Sequence, residues 1–559
     1  MLIAGAAIGQ DAAAGASTTD VVISTATSTV TGAATSAATS TATHTAQFLR
    51  VKGLAERGDA HAQHSLGFMY VNGQDVAQDF ALAVAWYRKA ADGGSEPAAY
   101  NLGVMYQKGQ GVGQNDQQAA DWYLRAAGQG YAAAQYNLGW LYAKGKGVAQ
   151  DEQRAMHWFS LAAGQGNPGA QNNLGMMYDS GKGVAQDVEQ ATSWYRKAAE
   201  QGHARAQFNL ALRYDQGQGV QADPQQALDW CRRAAGQGYA AAQFSLALRY
   251  EQGQGVAHDS GQALAWYRRA AEQGHASSQF NLGLMHDNGQ GVARDDALAL
   301  LWYGKAAGQG HAGAQDTLGL RHELGQGVVQ DIALAAQWYR KGAEQGFASA
   351  QYHLGQLCDS GQGVAADGAQ AVAWYRLAAE QGHLRAQFDL ALHYENGVGV
   401  AQDGQAALTW YLRAAEQDYA AAQFKVGALL DLAHAHAAQV GQACAWYLKA
   451  AKQGHALAQF ALGAHHDSGQ GVPQDYPAAC FWYLCAARQG HARAQCNVGL
   501  MYLDGQGTLA DPLDAALWLQ RAAHSGIVAA SRFLQRAIAR LDPAQRAQFE
   551  HLTQSARLA

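Results

Sequence analysis

The sequence is poor in cysteine, in proline and in charged residues. Its 559 residues include 6 Cys and 7 Pro, and charged residues make up 15%, against roughly 25% in an average domain. So few cysteines in so long a chain exclude a disulfide-stapled scaffold. No segment approaches the run of about 18 uninterrupted apolar residues that a transmembrane helix needs. The sequence therefore predicts no membrane span.

The charges that are present nearly balance. Lys and Arg number 39 and Asp and Glu number 45, which gives a net charge of −6 at pH 7. Because no part of the chain is strongly basic, the charge pattern argues against nucleic-acid binding, which depends on clustered Lys and Arg. Hydrophobic residues make up 48% of the chain, which is enough to form a core.

Tryptophan marks an internal repeat. Of the 14 Trp residues, all but Trp140 recur at intervals of 36 residues. They are Trp86, Trp122, Trp158, Trp194, Trp230, Trp266, Trp302, Trp338, Trp374, Trp410, Trp446, Trp482 and Trp518. Thirteen units of this length fill residues 59–526, and we number them repeats 1 to 13, so that repeat 1 is 59–94. Such a fixed period predicts a solenoid, in which each unit buries its apolar face against its neighbours.

Each repeat has the pattern of a helical hairpin. In repeat 1, Ala62 and Leu66 are four residues apart and share one face of a predicted first helix. A glycine-containing loop follows, and Asp79 stands where the N-cap of a second helix belongs. This capping position is Asp in every repeat except repeat 2, which has Asn115, and repeat 11, which has Gln439.

The second helix carries small residues and the tryptophan. Ala83 and its equivalents are Ala in all thirteen repeats, which predicts a close approach of the two helices, and we expect Trp86 to fill the space beside them. The Gly-Gly or Gln-Gly pair that ends most units, such as the pair ending at Gly94, is expected to close the second helix in a left-handed cap. The sequence therefore predicts an all-α fold.

The units share more than their tryptophan. Leu102, Gly103 and Tyr106 show the Leu-Gly-x-x-Tyr core of tetratricopeptide repeats, and the Gly-x-Gly-Val loop and the 36-residue period add to it. With these features the chain resembles the Sel-1-like repeat family. The resemblance implies a right-handed superhelical solenoid of about 13 helix-turn-helix repeats. It also implies an adaptor that holds partner proteins or peptides in a concave groove, in a bacterial regulatory or complex-assembly pathway.

The two ends of the chain differ from the repeats. Residues 1–45 are mostly Ala, Ser, Thr and Gly, which predicts a disordered tail. We expect residues 46–58 to form an N-terminal capping helix. Residues 527–559 are predicted to form two C-terminal capping helices, the second of which starts at Asp542 and Pro543.

Cysteine usage favours a reducing compartment. Some bacterial Sel-1-like proteins clamp each repeat with paired cysteines, whereas Cys231 and Cys358 here replace repeat tyrosines. We interpret the cysteines as core thiols and expect a cytoplasmic protein. The first residues lack the basic segment and the sustained apolar core of a leader. The alternative, an exported or periplasmic protein, therefore requires that the start of the chain is misassigned.

One face of the first helices carries two recurring residue types. The resemblance to tetratricopeptide repeats implies that this face lines the groove. We call Asp179, Asp215, Glu251, Asp287, Glu323, Asp359, Glu395, Asp431 and Asp467 the acid row. We call Tyr100, Tyr136, Phe208, Phe244, Phe280, Tyr352, Phe388, Phe424 and Phe460 the aromatic row. Both rows together would suit an extended partner segment with basic and apolar side chains.

From these rows we predict specific partner contacts. They are Asp179, Asp215, Glu251, Asp287, Glu323, Asp359, Glu395, Phe208, Phe244, Phe280, Tyr352 and Phe388. The alternative is that the aromatics pack helix on helix and the acids form a solvated edge. Like charges at a fixed spacing repel one another and need a balancing cation. Arg213, Arg249 and Arg321, each two residues before an acid of the row, could supply it internally.

Repeat 11 departs from the pattern in its loop. The loop lacks both loop glycines and the Val of other repeats and contains His434 and His436, and His465 and His466 follow in repeat 12. Four imidazoles could hold a metal ion, but no ligand spacing such as H-E-x-x-H is present. We favour the alternative of an altered loop and predict no metal. His203, His275, His311, His383, His455 and His491 share one inter-repeat turn and are interpreted as turn residues.

No catalytic motif is present in the sequence. It contains no G-x-S-x-G elbow, no P-loop and no CxxC pair. We therefore predict a non-enzymatic scaffold without a cofactor, a monomer that binds other proteins. The alternative is an exported envelope or host-interaction factor that binds a glycan or a surface protein.

Overall fold

The computed structural model describes residues 37–432 and 437–558. Those residues form 29 helices and contain no strand, which confirms the predicted all-α fold of 36-residue helical hairpins. The chain divides into two compact units, Met1–Trp302 and Tyr303–Ala559. Within each unit, first helices pack on the second helices of their own repeat, and second helices pack on the first helices of the next repeat.

The helices recur with the period of the sequence. The first helices are Ala60–Asn72, Glu96–Lys108, Ala132–Lys144, Pro168–Ser180, Ala204–Gln216, Ala240–Gln252, Ala276–Asn288, Ala312–Leu324, Ala348–Ser360, Leu384–Asn396, Ala420–Leu432, Ala456–Ser468 and Ala492–Asp504. The second helices are Phe80–Asp92, Asp116–Gly128, Glu152–Gly164, Val188–Glu200, Pro224–Gly236, Ser260–Glu272, Asp296–Gly308, Ile332–Glu344, Gly368–Glu380, Gly404–Glu416, Ala437–Lys452, Tyr476–Arg488 and Pro512–His524.

Three further helices flank the repeats. The amino-terminal one is Ala37–Glu56, so it begins within the segment assigned above to the tail, and the rest of that segment lies outside the described residues. Alanine, frequent there, has the highest helix propensity. Val528–Arg540 and Pro543–Leu558 follow repeat 13, and Asp542 caps the second of them by accepting from the Gln545 amide at 2.8 Å.

Side-chain caps set where the second helices begin. Asp79 accepts from the Leu82 amide at 2.9 Å, and Asn115 accepts from the Gln118 amide at 3.0 Å. Such caps satisfy amides that have no partner within the helix. Repeat 11 is the exception, because its second helix begins at Ala437 and takes in Gln439.

The residue that fills the space between the two helices is the one after the tryptophan. All thirteen Trp of the lattice are half-buried, whereas the next residue, Tyr in ten repeats, is 0–3% exposed. The buried stripe therefore runs through Ala83, Tyr87, Ala90 and Ala91, the i, i+4, i+7, i+8 spacing of a helix face. Trp86 lies beside this stripe and packs, half-buried, against the same cluster.

Glycine on the first helix makes room for that tyrosine. A Cβ atom added at Gly103 would lie 2.7 Å from the Tyr123 ring. The tryptophans pack instead at the edges of clusters that two successive repeats share. Trp194, for example, contacts the cluster that contains Phe159 of repeat 3, and the Lys197 ammonium lies 4.0 Å from its ring centroid.

A buried glutamine joins every repeat except repeat 2, which has Ala99, to the helix before it. The Gln171 amide group donates to the Ala163 carbonyl of repeat 3 at 3.2 Å and accepts from Gln201 at 2.7 Å. Twelve repeats have this glutamine, and all twelve donate to the carbonyl eight residues earlier. We call these contacts glutamine bridges. Each of these carbonyls also accepts from the backbone amide three residues later, as Ala163 does from Gly166 at 3.0 Å, so the glutamine uses its second lone pair.

The packing predicts unequal effects of two neighbouring substitutions. Tyr267→Ala should lower the free energy of unfolding of its repeat by about 3–5 kcal/mol, since the side chain is fully buried. Trp266→Ala should cost about 2 kcal/mol, because the ring is half-exposed. Hydrogen exchange of the helices in repeats 5 to 7 measures both, and an equal loss in the two variants would contradict this account.

Six first helices begin at a histidine cap. In His383, for example, Nδ1 accepts from the Ala386 amide at 3.2 Å. The same cap is formed by His203, His275, His311, His455 and His491. The interpretation of these histidines as turn residues is confirmed. Burial lowers the pKa of His383, His455 and His491, as befits rings that act as acceptors.

These caps make the repeats sensitive to acid. Protonation of Nδ1 removes the acceptor, and because the pKa values are lower in the folded state, stability is lost as the pH falls below about 6.5. Replacing His383, His455 and His491 with Asn, the cap that repeat 4 has at Asn167, should reduce that loss by about 1 kcal/mol per cap. Thermal unfolding between about pH 7.5 and 5.5 measures it. An unchanged acid dependence in the Asn variant would refute the assignment.

Candidate partner-binding site

The acid row lies on the last turn of its first helices. Its members that form ion pairs have side chains 27–39% exposed, so each carboxylate has one side toward water and one toward the protein. The group that contacts the buried side of the carboxylate differs from repeat to repeat. It depends on which residue the next repeat has at the position equivalent to Arg213.

Arginine occupies that position in three repeats. Arg213 pairs with Asp179 of the preceding repeat, and Arg249 pairs with Asp215. The two guanidinium side chains are 9% and 10% exposed, and Arg321 is equally buried. The prediction that Arg213 and Arg249 balance the acids internally is confirmed.

Histidine replaces the arginine in two further repeats. In repeat 10, His393 Nε2 lies 3.3 Å from Oδ2 of Asp359, and its Nδ1 lies 2.8 Å from the carbonyl oxygen of Val398. In repeat 12, His465 Nε2 lies 3.2 Å from Oδ2 of Asp431, and its Nδ1 lies 2.9 Å from the Gln470 carbonyl oxygen.

Where the next repeat has Met or Leu at this position, the acid is often glutamate. Glu251, Glu323 and Glu395 accept from the hydroxyls of Tyr267, Tyr339 and Tyr411 in their own repeats, at 2.7, 2.6 and 2.5 Å. The longer side chain reaches the tyrosine of the second helix. Burial, and then the carboxylate itself, raises the pKa of all three tyrosines.

The acid row is therefore neutralised unevenly. Glu395 also pairs with Lys425 at 2.9 Å. Glu251, Glu323 and Asp467 form no ion pair with any basic side chain in the part of the chain that the structure describes. Negative charge that a partner could meet is concentrated at these three acids.

The aromatic row lies inside the molecule. Tyr100, Phe208, Phe244, Phe280 and Tyr352 are 5–9% exposed, and Phe388 is half-buried. They stack between helices and on the inter-repeat turn. For example, the Tyr352 ring lies 5.8 Å from that of Tyr375 and 4.7 Å from that of His383. Their placement fits the helix-packing alternative, and any role in partner binding would be to support the acid row.

Repeats 8 to 10 form a groove at the acid row. It has a volume of about 560 Å³. Its lining combines carboxyl groups and polar side chains with three apolar ones: Glu323, Gln356, Leu357, Asp359, Ser360, Gln362, Tyr375, Asp389, Leu392, His393, Asn396 and Val398. We call it the acidic groove.

Asp389 is a third carboxyl group of this groove, and the sequence analysis missed it. Burial raises its pKa, although the Tyr352 hydroxyl donates to it at 3.0 Å. Its position is Asn in six of the other repeats, and that departure could have indicated it. Asp316, which interrupts the aromatic row and binds His353 at 2.8 Å, could have been found in the same way.

The four histidines around repeat 11 do not come together as a described site. His434 and His436 lie outside the described residues. His465 is occupied by Asp431 and a carbonyl, and the buried Nδ1 of His466 has no hydrogen-bond partner among the described residues. Nowhere in residues 37–432 and 437–558 do three or more His, Cys, Asp or Glu form a group suited to a metal ion.

The ion pair between Arg249 and Asp215 should contribute more to the free energy of unfolding than an exposed ion pair does. Arg249→Met, which introduces the residue that repeat 7 has at this position, should cost about 1–2 kcal/mol. In the Arg249→Met variant, the further substitution Asp215→Asn should lower the free energy of unfolding only slightly. The exposed pair of Arg232 and Asp229 serves as the control, with an expected effect near zero. A double-mutant cycle by hydrogen exchange measures the coupling, and additive effects would rule it out.

The architecture is that of a helical-repeat scaffold. The Sel1 repeat profile matches thirteen consecutive segments without a gap, from residues 60–95 to residues 492–527. The chain therefore belongs to the Sel1 repeat family. The fold of this family generally mediates protein–protein interactions and is generally non-catalytic. No helix of the described residues is long and apolar enough to cross a membrane.

Solved structures of similar sequence include two bacterial ones. A protective antigen of uropathogenic Escherichia coli with an SLR fold is 32% identical over 91% of this chain and 94% of its own, with a TM-score of 0.43. A Sel1 repeat protein from Oxalobacter formigenes is 32% identical over 44% of this chain and 96% of its own, with a TM-score of 0.41. No curated protein matches the chain.

Proposed function

We propose that this protein is a non-enzymatic adaptor that binds a basic segment of a partner protein along the acid row, with the acidic groove as the main contact. The observation that carries the proposal is the uneven neutralisation of the row. Fully paired carboxylates would make the acids a structural network and nothing more. Glu323 instead enters the groove bound to a tyrosine hydroxyl alone.

The lining of the groove suits Lys or Arg side chains. Carboxylates of Glu323 and Asp359 can pair with the charged end, while Leu392 and Val398 can cover its aliphatic stem. The Val398 side chain is 47% exposed, so apolar surface is available there. Electrostatic complementarity of this kind selects partners and speeds their association.

Partner capture tests the proposal. The tagged full-length protein is recovered from its native cell, from separated cytoplasmic and exported fractions, and bound proteins are identified by mass spectrometry. The double variant Glu323→Gln and Asp359→Asn should retain its main partner about fivefold less than wild type. Recovery from the cytoplasmic fraction is expected, and recovery from the exported fraction alone would favour the exported alternative.

A matched control separates the groove from the overall charge. Glu344→Gln and Glu380→Gln lie on exposed ends of second helices in the same unit and remove the same two charges. They should leave capture unchanged. Equal loss in both double variants would show an unspecific charge effect, and retention in both would exclude the acidic groove as the contact.

A further inference from the structure

One basic side chain lines the acidic groove, and it is a histidine. The His393 side chain is 8% exposed and lies between Asp359 of repeat 9 and the loop of its own repeat. Both of its nitrogens face oxygen acceptors, at 3.3 Å for the Asp359 carboxylate and 2.8 Å for the Val398 carbonyl. Neither oxygen can donate a hydrogen bond. Neutral imidazole has one N–H and satisfies one of them, whereas imidazolium satisfies both.

The equivalent residues of other repeats show that this position supplies a positive charge to the acid of the preceding repeat. Arg213 and Arg249 hold the acid of the preceding repeat from the equivalent place, and arginine stays charged throughout the physiological range. Imidazole gains and loses its proton within that range. Repeat 10 therefore has a titratable group where repeats 5 and 6 have a permanent cation.

We propose that His393 is a proton-operated counter-charge that sets the affinity of the acidic groove for a basic segment. This inference rests on the proposed function and names its regulation. The protonated ring pairs with Asp359 and adds a positive charge to the wall of the groove. The neutral ring keeps its Nδ1–H bond to Val398 and turns a lone pair toward Asp359, so the carboxylate is released to a Lys or Arg of the partner.

The direction of the effect follows from the other charges in the groove. Glu323, Asp359 and Asp389 are its carboxyl groups, and His393 is the one basic residue among the lining residues, all of which are described. Loss of its proton makes the groove more negative. Binding of a basic segment should therefore strengthen as the pH rises, and by linkage the bound segment should favour the neutral ring.

The remaining groups that face the ring do not titrate against it. Tyr375, on the second helix of repeat 9, lies 5.4 Å from it between ring centroids, and burial raises the pKa of Tyr375 and of the nearby Cys358. On the second helix of repeat 10, burial likewise raises the pKa of Tyr411, which donates to Glu395. These three groups stay protonated near neutral pH.

The first experiment measures the charge of His393 without any partner. The full chain is labelled with ¹³C-histidine, its ring signal is assigned by its loss in His393→Gln, and its titration is followed by NMR. In Asp359→Asn the ring signal should shift, since the carboxylate that Nε2 faces at 3.3 Å is gone. An unchanged ring signal would overturn the pairing on which the inference depends.

The second experiment measures binding with a rhodamine-labelled octalysine peptide by anisotropy at constant ionic strength. Between about pH 5.5 and 8, wild type should tighten by about fivefold more than His393→Arg, which keeps the charge and uses the side chain of repeats 5 and 6. His393→Gln should bind as wild type does at the upper end. The carboxyl groups are common to all three proteins, so their own titration cancels in the comparison.

The outcomes separate the regulation from the function. Peptide binding with the same pH dependence in wild type and His393→Arg would overturn the inference and leave the proposed function intact. No binding by any of the proteins at any pH would overturn both, while the NMR titration would still report whether His393 and Asp359 are paired. If His393→Gln fails to fold, His393→Arg and Asp359→Asn carry the test.

Discussion

The structure depends on the buried glutamine that attaches twelve of the thirteen repeats to the helix before them. Its amide donates to a carbonyl eight residues earlier, at the end of the preceding second helix, and its oxygen accepts from a residue thirty positions later. Both partners are backbone or amide groups, so the contact is independent of pH. An inserted residue in either turn would displace one partner and leave a buried polar group unpaired, which costs about 1–3 kcal/mol. The bridge thereby maintains the 36-residue period.

The backbone is the same in each repeat, and the residue at a single position decides how far each carboxylate of the acid row is neutralised. The acid row has the same backbone position in each repeat, yet Asp179 meets an arginine, Asp359 a histidine and Glu323 a tyrosine hydroxyl. The choice of partner decides how much charge each repeat presents to water. A repeat scaffold can in this way vary its surface without changing its packing. We infer that specificity for a partner lies in this pattern.

Much of the fold could be predicted from the sequence, because a period repeated thirteen times averages out local ambiguity. The helices, the Asp caps and the pairing of Arg213 and Arg249 with the acid row were predictable in this way. Periodicity could not separate Trp86 from Tyr87, which both recur and lie about 100° apart on a helix. Periodicity marks Asp389 only as a departure from the Asn of other repeats, and its role follows from tertiary contacts that the sequence does not show.

The most direct test of the account is photo-crosslinking in the cell that makes the protein. A photoreactive residue is placed at Asn396, exposed on the rim of the acidic groove, or at Leu377, 44% exposed on a second helix of the same unit. The account predicts that the partner is crosslinked from Asn396 through a segment rich in Lys and Arg, and not from Leu377. Crosslinking from Leu377 alone would contradict it, because the partner would then bind the opposite face of the repeats.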